Sequence, residues 1–303
     1  MTMKTPPFLT PGSRIRIVSP AGKCREEEIL PAVGWLKENG FRVETGRHVC
    51  GHYFQYSGCD QERLSDLQEA MDDPETRAII CSRGGYGTIR LIDQLDFSRF
   101  RRHPKWLVGF SDITILHNRL HLSGYESVHG TMCRSFFPGD GKPSEGLERM
   151  MQLLRGEKPA FGIPVSPGNR RGTVSAVLTG GNLSLLYSLI GTPYDLDTAG
   201  KILFIEDIGE YLYHIDRMMV SLRLSGKLKF LAGLVVGQFS DVKDNEEPFG
   251  KTIEEIILDA VRDFDFPVCF GFPAGHGQPN LPLRLGARYK LKITGKECSL
   301  KLV

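Results

Sequence analysis

A serine, a glutamate and a histidine, far apart in the chain, each stand where a side chain can do chemistry. Ser111 lies in WLVGFSDITILH, residues 106–117. An apolar run ends at Gly109, Phe110 and Ser111 follow, and Asp112 opens a helical pattern. This reads as strand, tight turn, helix, with the serine at the turn. Such a turn lifts a hydroxyl clear of the backbone and aims the helix's first free N–H groups at whatever the hydroxyl attacks. Those groups carry partial positive charge and can hold a developing oxyanion. The G-x-S-x-G elbow is only half present, because Ile113 stands where the second glycine belongs. A serine N-cap on a plain βα turn is the alternative. Glu206 ends the apolar run 202–205, which places it at the mouth of a sheet, where ligands bind in open α/β folds. His276 sits between two glycines in PAGHGQ, a flexible loop that gives a histidine no packing role. Together the three supply a nucleophile, an orienting carboxylate and a base. RGGYG at 83–87 matches neither nucleotide-binding glycine pattern and no lysine follows. Its glycines let a backbone N–H, that of Gly85, approach as a second oxyanion donor beside that of Asp112.

Two other constellations compete. His117 and His121 are four apart, a spacing that holds zinc on a helix, but no glutamate follows the first histidine as zinc peptidases require. Packed or solvated histidines are the plainer reading. His129 and Cys133 in VHGTMC suit a thiol–imidazole pair, or a buried cysteine with no catalytic part.

The elements that must position these residues alternate. Residues 14–18 and 41–43 read as strands with a helix between them over 25–39, closed by Gly40. A helix over 62–71, stopped by DDP, leads to a buried strand at 78–81. Ile89, Leu91, Ile92 and Leu95 suggest a helix before the strand of the elbow. This alternation predicts a parallel sheet with helices on both faces. Residues 156–172 hold three prolines and four glycines with little periodicity, so the domain boundary is placed there, between domains at 1–160 and 173–303. Beyond it, the strand 174–178 runs into TGGN, and a helix over 183–190 follows. The strand 201–205 delivers Glu206 and Asp207. A helix over 211–225, a buried strand over 231–239, a helix over 251–263 and several terminal strands complete the chain.

The 303 residues include 38 basic and 36 acidic side chains, with no block of one sign, which speaks against nucleic acid or an anionic membrane as partner. No apolar run is long enough to span a bilayer, and the first residues have no signal-peptide core. Seven cysteines without a C-x-x-C pair fit reduced thiols in the cytoplasm better than a disulfide framework or a zinc site.

RGGYGTIRLIDQLDF, LVGFSDIT, the HG of VHGTM, LTGGNLSLL, LFIEDIGE and GFPAGHG, in that order, resemble the LD-carboxypeptidases, cytoplasmic serine peptidases also called muramoyltetrapeptide carboxypeptidases. The resemblance covers nearly the whole chain. It implies a flavodoxin-like N-terminal domain, a smaller mixed, β-rich C-terminal domain and usually a homodimer. It also implies Ser111 as nucleophile, Glu206 as carboxylate and His276 as base, in a cleft between the domains, with no metal or cofactor. The implied reaction is release of the terminal D-alanine from the murein tetrapeptide in cell-wall recycling. A sister branch resembles microcin C immunity peptidases, and no extra loop here favours it. A binding module on the same two-domain cleft is the non-catalytic alternative.

Overall fold

The computed structural model describes residues 3–139 and 141–303. The chain divides into two units, Met1–Glu157 with Leu281–Arg284, and Lys158–Asn280 with Leu285–Val303.

In the first unit the elements run β1 (Arg14–Val18), α1 (Glu26–Glu38), β2 (Arg42–Thr45), α2 (Asp60–Asp72), β3 (Thr76–Cys81), α3 (Ser98–Arg102), β4 (Trp106–Gly109), α4 (Thr114–Leu122), β5 (Ser127–His129) and α5 (Glu145–Leu154). β1 pairs in parallel with β2 and β3, β3 with β4, and β4 with β5. The strand order 2-1-3-4-5 is that of flavodoxin-type sheets. Successive strand residues face opposite sides of a sheet. Ile15, Ile17, Ala78, Ile80, Trp106 and Val108 therefore form one core with α1 and α5. Ile79, Cys81 and Leu107 form another with α2, α3 and α4. Each isoleucine, leucine or valine among them, fully buried, stabilises the fold by about 1.5–3 kcal/mol. That is why the strands read as unbroken apolar runs.

The second unit holds β6 (Ala160–Ile163), β7 (Gly172–Asn182), α6 (Leu183–Ser188), β8 (Ile202–Ile208), α7 (Leu212–Leu224), β9 (Gly233–Ser240), α8 (Ile253–Ala260) and β10 (Val268–Cys269). The chain then returns to the first unit, whose sheet gains β11 (Leu283–Leu285) at the edge beside β5. It finishes in the second unit with β12 (Arg288–Ile293) and β13 (Cys298–Leu302). The second sheet has the order β10-β9-β8-β7-β12-β13-β6. Its β10 to β7 portion is parallel and its β7 to β6 portion antiparallel. The fold is thus α/β, with one mostly parallel sheet and one mixed sheet. Among the described residues no helix is long and apolar enough to cross a membrane.

Two expectations change. The helix expected around Ile89 to Leu95 is a pair of 3-10 turns, Thr88–Arg90 and Ile92–Gln94. Gly87, at φ +133°, enters the first turn, and the Thr88 N–H is taken by the Asp112 carboxylate at 2.8 Å. Apolar residues here follow the curvature of the core rather than a helical period. The 156–172 stretch also carries a strand, since β6 pairs with β13.

Candidate active site

In the first unit the end of β4 builds the serine turn. A Cβ on Gly109 would stand 2.8 Å from the Ile113 side chain, so only glycine lets the chain fold back so tightly. Phe110 is extended and Ser111 adopts φ +62°. A left-handed conformation costs a non-glycine residue roughly 1–2 kcal/mol, and such strain clusters at functional sites. A 3-10 turn, Ser111–Ile113, then leads into α4. Ser111 is half-buried while Asp112 is buried.

The glycine loop after β3 lies against this turn. A Cβ on Gly84 would be 2.9 Å from Ser111 Cβ, 3.0 Å from its Oγ and 3.6 Å from the Asp112 nitrogen. The Gly84 carbonyl accepts the Gly22 N–H at 3.0 Å. Gly85, at φ +115°, packs on Gly22, where a Cβ would meet the Gly22 Cα at 3.2 Å. A side chain at Gly84 would therefore crowd the hydroxyl, whereas one at Gly85 would crowd Gly22. Burial pushes the Asp112 carboxyl above the usual carboxylate range, with the Thr88 hydrogen bonds and the Arg63 charge working against it. Arg63 is itself buried and donates to the carbonyls of Gly58 and Pro20. This network fastens the glycine loop to the elbow from beneath.

His117 braces the elbow from behind. Its Nε2 lies 2.9 Å from the Gly109 carbonyl and its Nδ1 2.9 Å from Ser127 Oγ. A carbonyl only accepts, so Nε2 carries the proton and Nδ1 accepts from the serine hydroxyl. Burial pushes His117 down to about 4, opposed by the bond to Gly109. Both nitrogens are engaged, which leaves no lone pair for zinc and makes His117 a neutral structural group. His129 is buried with its ring 5.7 Å from that of Phe110. Cys133 belongs to the apolar core, and burial pushes its thiol well above the ordinary value. A nucleophilic cysteine needs the opposite shift.

In the second unit Glu206 is wholly buried on β8, which runs past the expected strand end to Ile208. Glu206 Oε2 lies 2.8 Å from His276 Nδ1. Because the carboxylate accepts, Nδ1 holds the proton and the Nε2 lone pair is the basic one. Gly275, at φ +135°, makes this approach possible: a Cβ there would be 3.0 Å from Glu206 Oε2. The loop is not a flexible one. The Gly275 N–H donates to Asn280 Oδ1 at 3.1 Å and the Gly277 N–H to Gln238 Oε1 at 2.8 Å. Gln238 Nε2 donates to the Pro279 carbonyl at 3.2 Å. Next to Glu206, Asp207 accepts from Asn182 Nδ2 at 2.9 Å and from the backbone of Ser184 at 2.8 Å and Ile208 at 2.9 Å. Burial nevertheless pushes Asp207 up to about 6, with the neighbouring Glu206 charge adding to the rise. The glycines of TGGN are required here. Gly180 has φ +124°, and a Cβ on it would fall 2.0 Å from the Phe204 carbonyl on β8.

Of the residues singled out by sequence, Ser111, Asp112 and Gly85 thus gather in the first unit, and Glu206 and His276 in the second. The first group can offer a nucleophile beside backbone N–H groups, and the second a base oriented by a carboxylate. Arg63, Gln238, Asn280, the bond between Asn182 and Asp207, and the packing of Gly84 in particular on Ser111 escaped the sequence reading. A glutamine inside the apolar strand of VVGQF was the available signal for Gln238.

The chain is similar to known proteins along most of its length. Residues 15–130 match the LD-carboxypeptidase N-terminal domain and residues 175–291 the LD-carboxypeptidase C-terminal domain. A probable murein peptide carboxypeptidase of Bacillus subtilis is 34% identical, over 96% of this chain and 92% of its own. The crystal structure of muramoyltetrapeptide carboxypeptidase from Oxalobacter formigenes superimposes with a TM-score of 0.87 at 31% identity, covering 95% of this chain and 98% of that one. An MccF-like protein from Bacillus anthracis gives 0.83 at 25% identity, covering 99% of both chains. The chain belongs to the LD-carboxypeptidase family.

Proposed function

We propose that this protein is a serine LD-carboxypeptidase that releases the terminal D-alanine from the murein tetrapeptide in cell-wall recycling. His276 Nε2 takes the Ser111 proton as Oγ attacks the carbonyl that joins the L-centre of the diamino acid to D-alanine. The N–H groups of Asp112 and Gly85 hold the oxyanion. His276 then gives its proton to the leaving amine, and water, deprotonated by the same imidazole, hydrolyses the acyl-enzyme. Glu206 holds the imidazole tautomer and stabilises its protonated form. No step needs a metal or cofactor. The reading includes a cytoplasmic homodimer acting on murein peptides.

The observation that carries this reading is the Glu206–His276 pair, a wholly buried carboxylate aimed at the ring nitrogen of a histidine held between two glycines. The strained φ of Ser111 supports it from the other unit. The test is k_cat/K_M, by chromatographic release of alanine, for L-Ala-γ-D-Glu-meso-diaminopimelyl-D-Ala, its L-alanine-ended isomer and the D-Ala-D-Ala pentapeptide. The first should react at least about a hundredfold faster than the second, because a misplacement near 1 Å costs about that much. The pentapeptide should also be poor, its last bond joining two D-centres. Equal rates on the two tetrapeptides would overturn the LD assignment. No release from any, with Ser111 still labelled by a fluorophosphonate, would move the microcin C immunity reading to first place. Ligand binding with neither release nor labelling would leave a non-catalytic binding protein.

A further inference from the structure

Gln238, near the end of β9, lays its side chain across the loop that carries His276. Its amide uses both ends on that loop: Oε1 accepts the Gly277 N–H at 2.8 Å and Nε2 donates to the Pro279 carbonyl at 3.2 Å. Its own backbone N–H donates to the Ala274 carbonyl at 2.9 Å. One residue thus grips the loop on both sides of the histidine. The fit leaves no room for a larger neighbour. A Cβ on Gly277 would lie 3.0 Å from the Gln238 carboxamide, and one on Gly275 would lie 3.2 Å from Gln238 Cβ. Asn280 adds a third hold at the Gly275 N–H. Glu206 accepts from the imidazole itself. Two glycines flank His276, so its backbone has more freedom to lose than that of any ordinary residue pair. Something outside the loop must remove that freedom.

We infer that Gln238 is a positioning residue for His276: its carboxamide sets the height and tilt of the loop so that Nδ1 meets Glu206 and Nε2 is presented as a base. This rests on the reading of His276 as the base of a serine peptidase. Gln238 acts on the histidine through the loop it holds at Ala274, Gly277 and Pro279. A methionine of similar length would keep the packing and lose both hydrogen bonds. A glutamate would keep the acceptor for Gly277 and turn a second acceptor towards the Pro279 carbonyl.

The experiment compares wild type, Gln238→Met and Gln238→Glu by two readouts. The first is the low-field NMR resonance of the His276 Nδ1 proton bonded to Glu206, assigned by its loss in His276→Gln. The second is turnover of the D-alanine-ended tetrapeptide together with the rate of Ser111 labelling by a fluorophosphonate. Gln238→Met should lose or broaden the resonance, lower k_cat and the labelling rate about 10- to 100-fold, and leave K_M within about threefold, as displacement of a catalytic group by about 1 Å would. Gln238→Glu should fall between it and wild type. An unchanged resonance with k_cat within twofold of wild type overturns the inference. If Gln238→Met does not fold, Gln238→Glu decides by the same criteria. If wild type neither hydrolyses the peptide nor labels, the peptidase reading fails, and the resonance still decides whether Gln238 positions the histidine.

Discussion

Gly84 presents its backbone to Ser111 so closely that a Cβ built on it would stand 3.0 Å from the serine Oγ and 2.9 Å from its Cβ. The space in front of the hydroxyl is thus held open by the absence of a side chain two elements away. Gly84→Ala should force the glycine loop or the serine to move by a few tenths of an ångström or more. A hundredfold loss of k_cat is the expected order, since reacting groups tolerate little displacement. Thermal unfolding should change little beside that. Activity within threefold of wild type would show that the contact yields freely.

Ser111 separates two roles on one residue. Ser111→Ala should lower turnover by roughly four to six orders of magnitude, as loss of a triad nucleophile does. Ser111→Gly removes the same hydroxyl but also relieves the positive φ. Relief of about 1–2 kcal/mol, offset by roughly 0.4–1 kcal/mol of extra chain entropy in the unfolded state, leaves the glycine variant the more stable of the two. A difference of about 0.5–1 kcal/mol in denaturant unfolding is the expected reading. An alanine variant as stable as the glycine one would mean that the turn carries no strain.

Glu206→Gln keeps the shape and removes the charge. Its amide cannot hold the Nδ1 proton of His276 as a carboxylate does, and it can impose the opposite tautomer. The expected loss in k_cat is on the order of 10⁴, from the behaviour of other triads. A nearly active glutamine variant would direct attention to Asp207, which is buried at the next position and held by Asn182 and two backbone N–H groups.

His117 should govern part of the acid sensitivity of the first unit. Its ordinary value of 6.5 falls to about 4 in the fold, so the unfolded chain takes up a proton that the folded chain refuses. The stability contributed by the neutral ring is complete above about pH 6.5 and is lost as pH falls towards 4. By pH 5 the loss is about 2 kcal/mol. Asp207 runs the other way, because a carboxyl raised from 3.8 to about 6 gains stability for the fold as pH falls through that window. The His117 contribution is therefore read as the difference between wild type and His117→Gln in unfolding free energy at pH 8 and pH 5. A parallel pair of pH dependences, or an imidazole that titrates near 6.5 by NMR, would contradict the buried neutral ring.

The order of strands and helices was readable because it rests on local periods. Ile15, Ile17 and Val18, or Ile79, Ile80 and Cys81, announce strands buried on both faces, and a helix between each pair leaves a parallel sheet as the natural arrangement. The serine turn was readable too, since Gly109, Phe110, Ser111 and Asp112 are neighbours in the chain. The period misled where packing prevails. Leu91, Ile92 and Leu95 are buried, Leu95 against α2 and β3, although their chain makes 3-10 turns, because burial follows the core they face and the Asp112 carboxylate had already taken the first N–H. Sequence placed Glu206 at a strand end and His276 in a glycine loop, but a 70-residue separation says nothing about a 2.8 Å bond. The same holds for Gly84 against Ser111, His117 against Gly109 and Ser127, Gln238 across Gly277 and Pro279, and the return of Leu281–Arg284 to the first unit. Side-chain type and short-range spacing are properties of the chain itself. Which backbone group meets which side chain is decided when distant segments pack, because hydrogen bonds act only over about 3 Å and only the folded chain sets distances on that scale.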